Sequence, residues 1–230
     1  METSTPCEYI SNMASKYDIP LVLNPGQSSC ALDWNYGFNK ADTRLVTIAH
    51  QDDIYDADYA KTILEYANKA KDPILFYTDY YEIRNNTKVY NNKLLNIKRW
   101  MNAPMKRKNA WSNIWLRRRI LSFGDAISCP TVTLVKEKVG KDPYDTSYTC
   151  SCDYKTWTDL TPMKGDFVYI PVPLMGHRIY EESHTTIYLK ENIRQKEDLN
   201  LLCSYWPKPI GKMIYHFYSK SQDSNDTKNV

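Results

Sequence analysis

Apolar residues fall in short blocks along this chain, and the blocks alternate between two periods. Residues 19–24, 45–49 and 73–83 are largely apolar runs, which predicts strands. The spacing between them is helical. Residues 6–16 predict a helix with Thr5 as N-cap and Pro6 at its first position. Residues 30–39 predict a second helix, entered through a Pro-Gly-Gln-Ser-Ser turn at 25–29. Tyr59, Ile63, Tyr66 and Ala67 predict a third, capped by Asp56 and running to about residue 70. Asn85-Asn86 marks a turn. Strand alternating with helix over residues 6–83 argues for an α/β sheet.

The second half is less regular. Residues 126–135 read as a loop running into a strand, and 152–160 as a helix with Asp153 near its start. Residues 167–175 read as a strand whose two prolines predict an edge position. Helices are expected near 184–202 and over 210–220, followed by a tail of disordered composition at 221–230. Residues 94–120 interleave lysines and arginines with Trp100, Trp111 and Trp115. Such a segment fits a solvated helix whose tryptophans face the core, which is the favoured reading. It also fits an anionic membrane surface or a nucleic acid.

Composition narrows these choices. A chain of 230 residues makes one large domain or two small ones. The formal net charge of +3 is too mild to require a nucleic-acid partner, and no zinc-finger spacing is present. Of six cysteines only Cys150 and Cys152 lie close together, and an isolated C-x-C is a poor zinc signature. Reduced thiols are expected. No apolar run approaches the roughly 20 residues of a membrane span, and the start of the chain is polar rather than signal-like. These features predict a cytoplasmic protein, with peripheral contact at the inner face of the membrane left open.

The candidate chemistry lies at Gln51-Asp52-Asp53, where an apolar run ends in adjacent carboxylates. Ligands of open α/β sheets bind beyond the carboxyl ends of strands. Neighbouring acids raise one another's pKa, and a hard divalent cation relieves that cost. A plain turn or helix cap is the alternative.

Several stretches together resemble a family-2 glycosyltransferase of the GT-A fold, over residues 3 to about 195. Asn35-Tyr36-Gly37-Phe38-Asn39-Lys40-Ala41 is similar to the family's Arg-Asn-x-Gly helix, with Trp34 where arginine is usual. Gln51-Asp52-Asp53 resembles its Asp-x-Asp signature, with glutamine for the first acid. Pro130-Thr131-Val132 resembles the Pro-Ser-Val of the acceptor-side strand. Cys152-Asp153-Tyr154-Lys155-Thr156-Trp157 resembles the Glu-Asp-Tyr-x-x-Trp that carries the base, with cysteine for glutamate. The segment from Leu174 through Arg178 to Ser183 resembles the closing motif, with Tyr180 where histidine is common and His177 as a stand-in or a structural residue.

The resemblance implies an inverting transfer of sugar from a nucleoside diphosphate sugar to a glycan or lipid-linked acceptor, in building a bacterial-type surface polysaccharide. It implies a Rossmann-like mixed sheet with helices on both faces. A GT-A domain would span 1–183, a C-terminal helical extension 184–220 and the tail 221–230. Magnesium or manganese would sit on Asp53, with Asp52, Asn35 and Arg178 contacting the donor and Asp153 as base. Asp153 as a helix cap and Arg178 as a surface ion pair are the structural alternatives. Measured against the family pattern, the first strand, helix and most of the second strand are missing. The chain is therefore expected to be an N-terminally truncated form, poorly active or inactive, whose strand at 19–24 has lost its partner. A second functional class is a non-catalytic membrane-peripheral protein that uses the basic-aromatic segments.

Overall fold

Strand β5 (Pro73–Arg84) is buried along nearly its whole length, as a near-continuous apolar and aromatic run requires when both faces of a sheet are covered. The structure is a computed structural model that describes residues 1–179 and 193–222. The other strands are β1 (Glu2–Thr3), β2 (Val22–Leu23), β3 (Leu45–Thr47), β4 (Ile54–Tyr55), β6 (Thr87–Val89), β7 (Val132–Val135) and β8 (Asp166–Ile179). The helices are α1 (Glu8–Lys16), α2 (Cys30–Lys40), α3 (Tyr59–Ala67), α4 (Lys93–Asn102), α5 (Ile114–Leu121), α6 (Lys136–Val139), α7 (Cys152–Leu160), α8 (Ile193–Tyr205) and α9 (Lys208–Gln222). The architecture is mixed α/β, as the alternation of periods predicts.

The main sheet runs in the order β3-β7-β5-β8-β4, with β6 folded back on β5. Within this sheet, among the described residues, only β5 and β8 pair in parallel; the other pairs are antiparallel. The β5–β6 hairpin turns at Asn85 and Asn86, whose φ angles of 48° and 61° place both in the left-handed region that a tight hairpin needs and asparagine tolerates. The antiparallel β3–β7 pair joins Thr47 to Thr133, so the end of β3 lies beside the turn at Cys129–Thr131 that enters β7.

Several expectations are corrected. Strand β8 is flanked by β5 and β4 rather than lying at an edge. Its prolines are accommodated because the register with β5 jumps from Thr78–Ile170 to Asp79–Pro173, leaving Pro171 and Val172 in an exposed bulge. Beyond the bulge, Gly176 passes so close to β5 that a Cβ there would meet the Tyr81 ring at 2.5 Å. Strand β2 keeps a partner, pairing in parallel with β1; these two form a separate two-stranded sheet. Helix α1 starts at Glu8 after Cys7, not at Pro6. Helix α3 starts after Asp58, because β4 occupies the preceding residues; Asp56 instead accepts the Tyr81 hydroxyl at 3.1 Å. The segment at 94–120 breaks into two helices joined by 3₁₀ turns. Trp111 is buried there and donates to the Met105 carbonyl, whereas Trp100 and Trp115 are exposed. Helix α9 continues to Gln222, into the expected tail; residues 180–192 and 223–230, including Tyr180, Ser183 and the start of the helix expected from 184, lie outside the described residues.

One core unites the main sheet with its helices: Phe38, Ile63, Phe76, Leu121, Trp157, Phe167 and Leu201 all belong to it. The buried Arg117 fastens α5 to the turn after α7. Its guanidinium donates to the carbonyls of Thr161 at 2.7 Å and Gly165 at 2.8 Å, and also to that of Met163. Carbonyls that no helix or strand can satisfy are thereby paired, as buried backbone demands.

Candidate functional site

The acids predicted at the end of β3 sit in a loop, residues 48–53, that turns back into β4. The Asp53 side chain is fully covered. Its Oδ1 accepts from His177 Nδ1 and from the Arg178 amide, both at 3.0 Å, where β8 passes beside β4. Burial works against the charge on Asp53, but the hydrogen bonds from His177 and the Arg178 amide outweigh it and hold the carboxyl below its usual range. His50 lies flat against Trp34, centroids 5.0 Å apart, with Nδ1 3.9 Å from Asp53 Oδ2. Burial is the main cause that holds the His50 pKa below its ordinary value, so the ring is neutral near pH 7.

Two buried atoms in this group, Asp53 Oδ2 and His50 Nε2, have no hydrogen-bond partner among the described residues. Buried polar atoms are rarely left so. One donor atom each from His50, Asp52 and Asp53 fall within 4.8 Å of one another. An ionised carboxylate and a neutral imidazole are the protonation states that metal ligation requires. The residues present therefore fit a divalent cation, and they add His50 to the expected set. The clue lay in the same sequence stretch, but nothing in the spacing says that a ring at position 50 turns toward Asp53.

Arg178 lies against the same loop. Its Nε donates to the Asp52 carbonyl at 3.0 Å and a terminal nitrogen reaches Asn86 at 3.4 Å. Asn35 is placed differently. Both ends of its buried amide are engaged by the backbone of Tyr144, at 2.7 and 2.9 Å, so it braces the loop before α7. It also borders a cleft of about 560 Å³ between α2 and that loop, which Asp52, Asp53, Asp153 and Arg178 do not line.

Asp153 stands in the first turn of α7, where it accepts the amide of its neighbour Tyr154 at 2.8 Å. It is not the cap. The amides of Thr149, Cys150 and Ser151, which lead into the helix, are taken up by Glu197 of α8 at 2.7, 2.9 and 2.8 Å. The next residue, Asp198, accepts the Ser151 hydroxyl at 2.7 Å and sits 3.5 Å from Arg194 Nε. Two consecutive acids from a distant helix thus fix the loop that presents Asp153.

Around Asp153 the charges of Asp125, Asp198, Lys98 and Arg194 converge from α4, α8 and the turn after α5, with Tyr218 of α9 beside them. Three carboxylates face two cations. Burial raises the pKa of Asp153, with Asp198 adding to it, and the attraction of Arg194 offsets this only in part. Asp125 is pushed up to about 7 by burial and then by the Asp153 charge. The unfolded chain would release that proton near pH 4. The folded state therefore binds it more tightly, and this contribution to stability is full below about pH 4 and lost as pH rises through about 7. Asp125→Asn removes the buried charge and keeps an acceptor for the Ile127 amide, which Asp125 holds at 3.2 Å. In thermal melts the variant should gain on the wild type by on the order of 2–4 kcal/mol between about pH 5 and about pH 8. Parallel pH courses for the two proteins would refute the assignment.

The two acidic centres lie at the same end of the main sheet. Tyr55 feels the Asp53 charge and donates its hydroxyl to the Pro130 carbonyl at 2.5 Å. Neighbouring Cys129 is raised by burial and then by the Asp153 charge. The Cys129–Pro130 turn therefore adjoins the surroundings of both acids. No family model matches the chain, and no curated protein matches it.

Proposed function

We propose that the protein transfers a sugar from a nucleoside diphosphate sugar to the hydroxyl of a glycan or lipid-linked acceptor, with inversion, on a GT-A-type sheet. One observation carries this reading. Two aspartates at one end of the sheet have environments that drive them apart: Asp53 is held ionised and Asp153 is made more basic. Such a separation of pKa values is how acid–base roles are divided within a site.

In this reading the acceptor oxygen attacks the anomeric carbon while the bond to the diphosphate oxygen breaks. Asp153 takes the acceptor proton, and the bonding pair leaves with the diphosphate. Attack opposite the leaving group inverts the centre. A magnesium or manganese ion held by Asp53, with His50 and Asp52 in reach, would supply Lewis-acid stabilisation of the departing charge. Arg178, beside the same loop, adds a cation suited to phosphate oxygens. Burial of Asp53 and Asp153 strengthens each of these interactions by excluding water.

Calorimetric titration with uridine, thymidine, guanosine and cytidine diphosphates, with and without manganese, tests the proposal. The expected result is binding of at least one nucleotide that requires the metal and is lost in Asp53→Asn. A panel in which no nucleotide binds with manganese present, or in which binding ignores both metal and Asp53, sinks it.

A further inference from the structure

The chain's charge is segregated. Residues 93–124 and 206–222 contain twelve of the 30 lysines and arginines and none of the 27 acids, so the net +3 divides into +12 there and −9 elsewhere. These two stretches build α4, α5 and α9, and the fold brings them together. A Cβ on Gly124, just past α5, would lie 2.5 Å from the Tyr218 ring of α9. Lys98 of α4 acts on that same tyrosine. Arg119 stacks on Phe123 and Trp206 at 4.5 and 4.6 Å.

The outward faces of these helices carry large apolar side chains among their lysines and arginines. Trp100 is 78 % exposed, Trp115 71 %, Phe217 68 % and Met213 58 %. On α9, Gly211 is packed against Cys203 and Tyr218 is turned in toward Gly124 and Asp125. Ile210, Met213 and Phe217, spaced three and four apart, form a second stripe on the exposed side. A helix that buries one apolar stripe has no folding reason to carry another in water.

We propose that this three-helix face docks on an anionic lipid surface, with the exposed tryptophans, Met213 and Phe217 entering the headgroup–acyl boundary and the exposed lysines and arginines, Lys106, Arg107 and Lys108 among them, reaching lipid phosphates. Charge complementarity selects an anionic partner. The aliphatic and thioether groups select lipid over nucleic acid, since they have no role against a phosphate backbone, whereas an interfacial helix uses them. Among the described residues no helix is long and apolar enough to cross a membrane, so attachment is lateral. The inference does not depend on sugar transfer. It would place the Asp125–Asp153 cluster, which Tyr218 adjoins, near the bilayer.

Flotation of the full chain with vesicles of phosphatidylcholine alone and of equimolar phosphatidylcholine and phosphatidylglycerol tests it. Binding is expected only to the anionic vesicles and should weaken with salt. Each basic residue at such a surface is worth about fivefold in affinity, so replacing the exposed Lys106, Arg107 and Lys108 with glutamine should weaken binding roughly a hundredfold. Trp115→Ser with Phe217→Ser should weaken it at least tenfold at unchanged charge. Circular dichroism of each variant confirms that the fold survives. Absence of binding to anionic vesicles at low salt overturns the proposal. So does vesicle binding that the aromatic replacements leave unchanged, which indicates a polyanion site. A dimer in solution that those replacements dissociate also overturns it, by assigning the face to a second copy.

Discussion

Replacing Asp153 with asparagine should lower the turnover of sugar transfer about 10²–10⁴-fold, the usual contribution of a positioned general base. The asparagine preserves shape and can still accept the Tyr154 amide that Asp153 holds at 2.8 Å. It cannot take a proton. Donor binding should be unchanged, because the proposed diphosphate contacts are made around Asp53 by His50, Asp52 and Arg178 rather than by Asp153. The loss should therefore fall on kcat, with the donor KM intact. The wild-type rate should also show an acid limb above the ordinary carboxylate range, since burial raises Asp153, and that limb should vanish in the variant. Unchanged turnover would remove Asp153 from the mechanism.

The second large effect is structural. Glu197→Ala removes three backbone-to-carboxylate hydrogen bonds at once and leaves the amides of Thr149, Cys150 and Ser151 without their partner. Hydrogen bonds to charged groups contribute roughly 1.5–3 kcal/mol each, though bonds sharing one half-buried carboxylate do not add fully. A loss of about 3–5 kcal/mol is expected, which in a chain of this size lowers the melting temperature by roughly 10 °C or more. Glu197→Gln keeps one acceptor oxygen and should recover about half. A change under 1 kcal/mol in the alanine variant, by denaturant unfolding, would show that water replaces Glu197 at no cost. If the variant still folds, its transfer rate should fall more than its donor affinity, because Glu197 holds the loop that presents Asp153.

The two halves of the site were unequally legible. Asp52 and Asp53 stand out because the signal is local: a short apolar run, then two acids. Asp153 stands out through its similarity to a known motif, at the start of a helix whose apolar spacing is plain. The residues that decide what these acids do were not visible. His50 lies in the same stretch as Asp53, yet its role comes from stacking on Trp34 and from burial beside β8. Glu197 and Asp198 are more than forty residues from the loop they hold, in a stretch that the sequence marks only as a helix near 184–202. The β8 prolines misled for a related reason. They predict an edge only if the strand keeps register, and the bulge at Pro171 and Val172 lets β8 stand inside the sheet.

By itself the sequence determined the mixed α/β class, most element positions, the acidic loop after β3 and the basic-aromatic composition of two segments. All of these follow from residues within a few turns of one another, where backbone geometry imposes periods of 2 and 3.6. The tertiary structure alone decided which carboxylates share a low-dielectric environment, which of them is held ionised and which is made basic, and which tryptophans face water. Charge interactions and burial depend on distances through space, and in this chain those distances join residues from α2, β3, β8 and α8 that no local pattern connects.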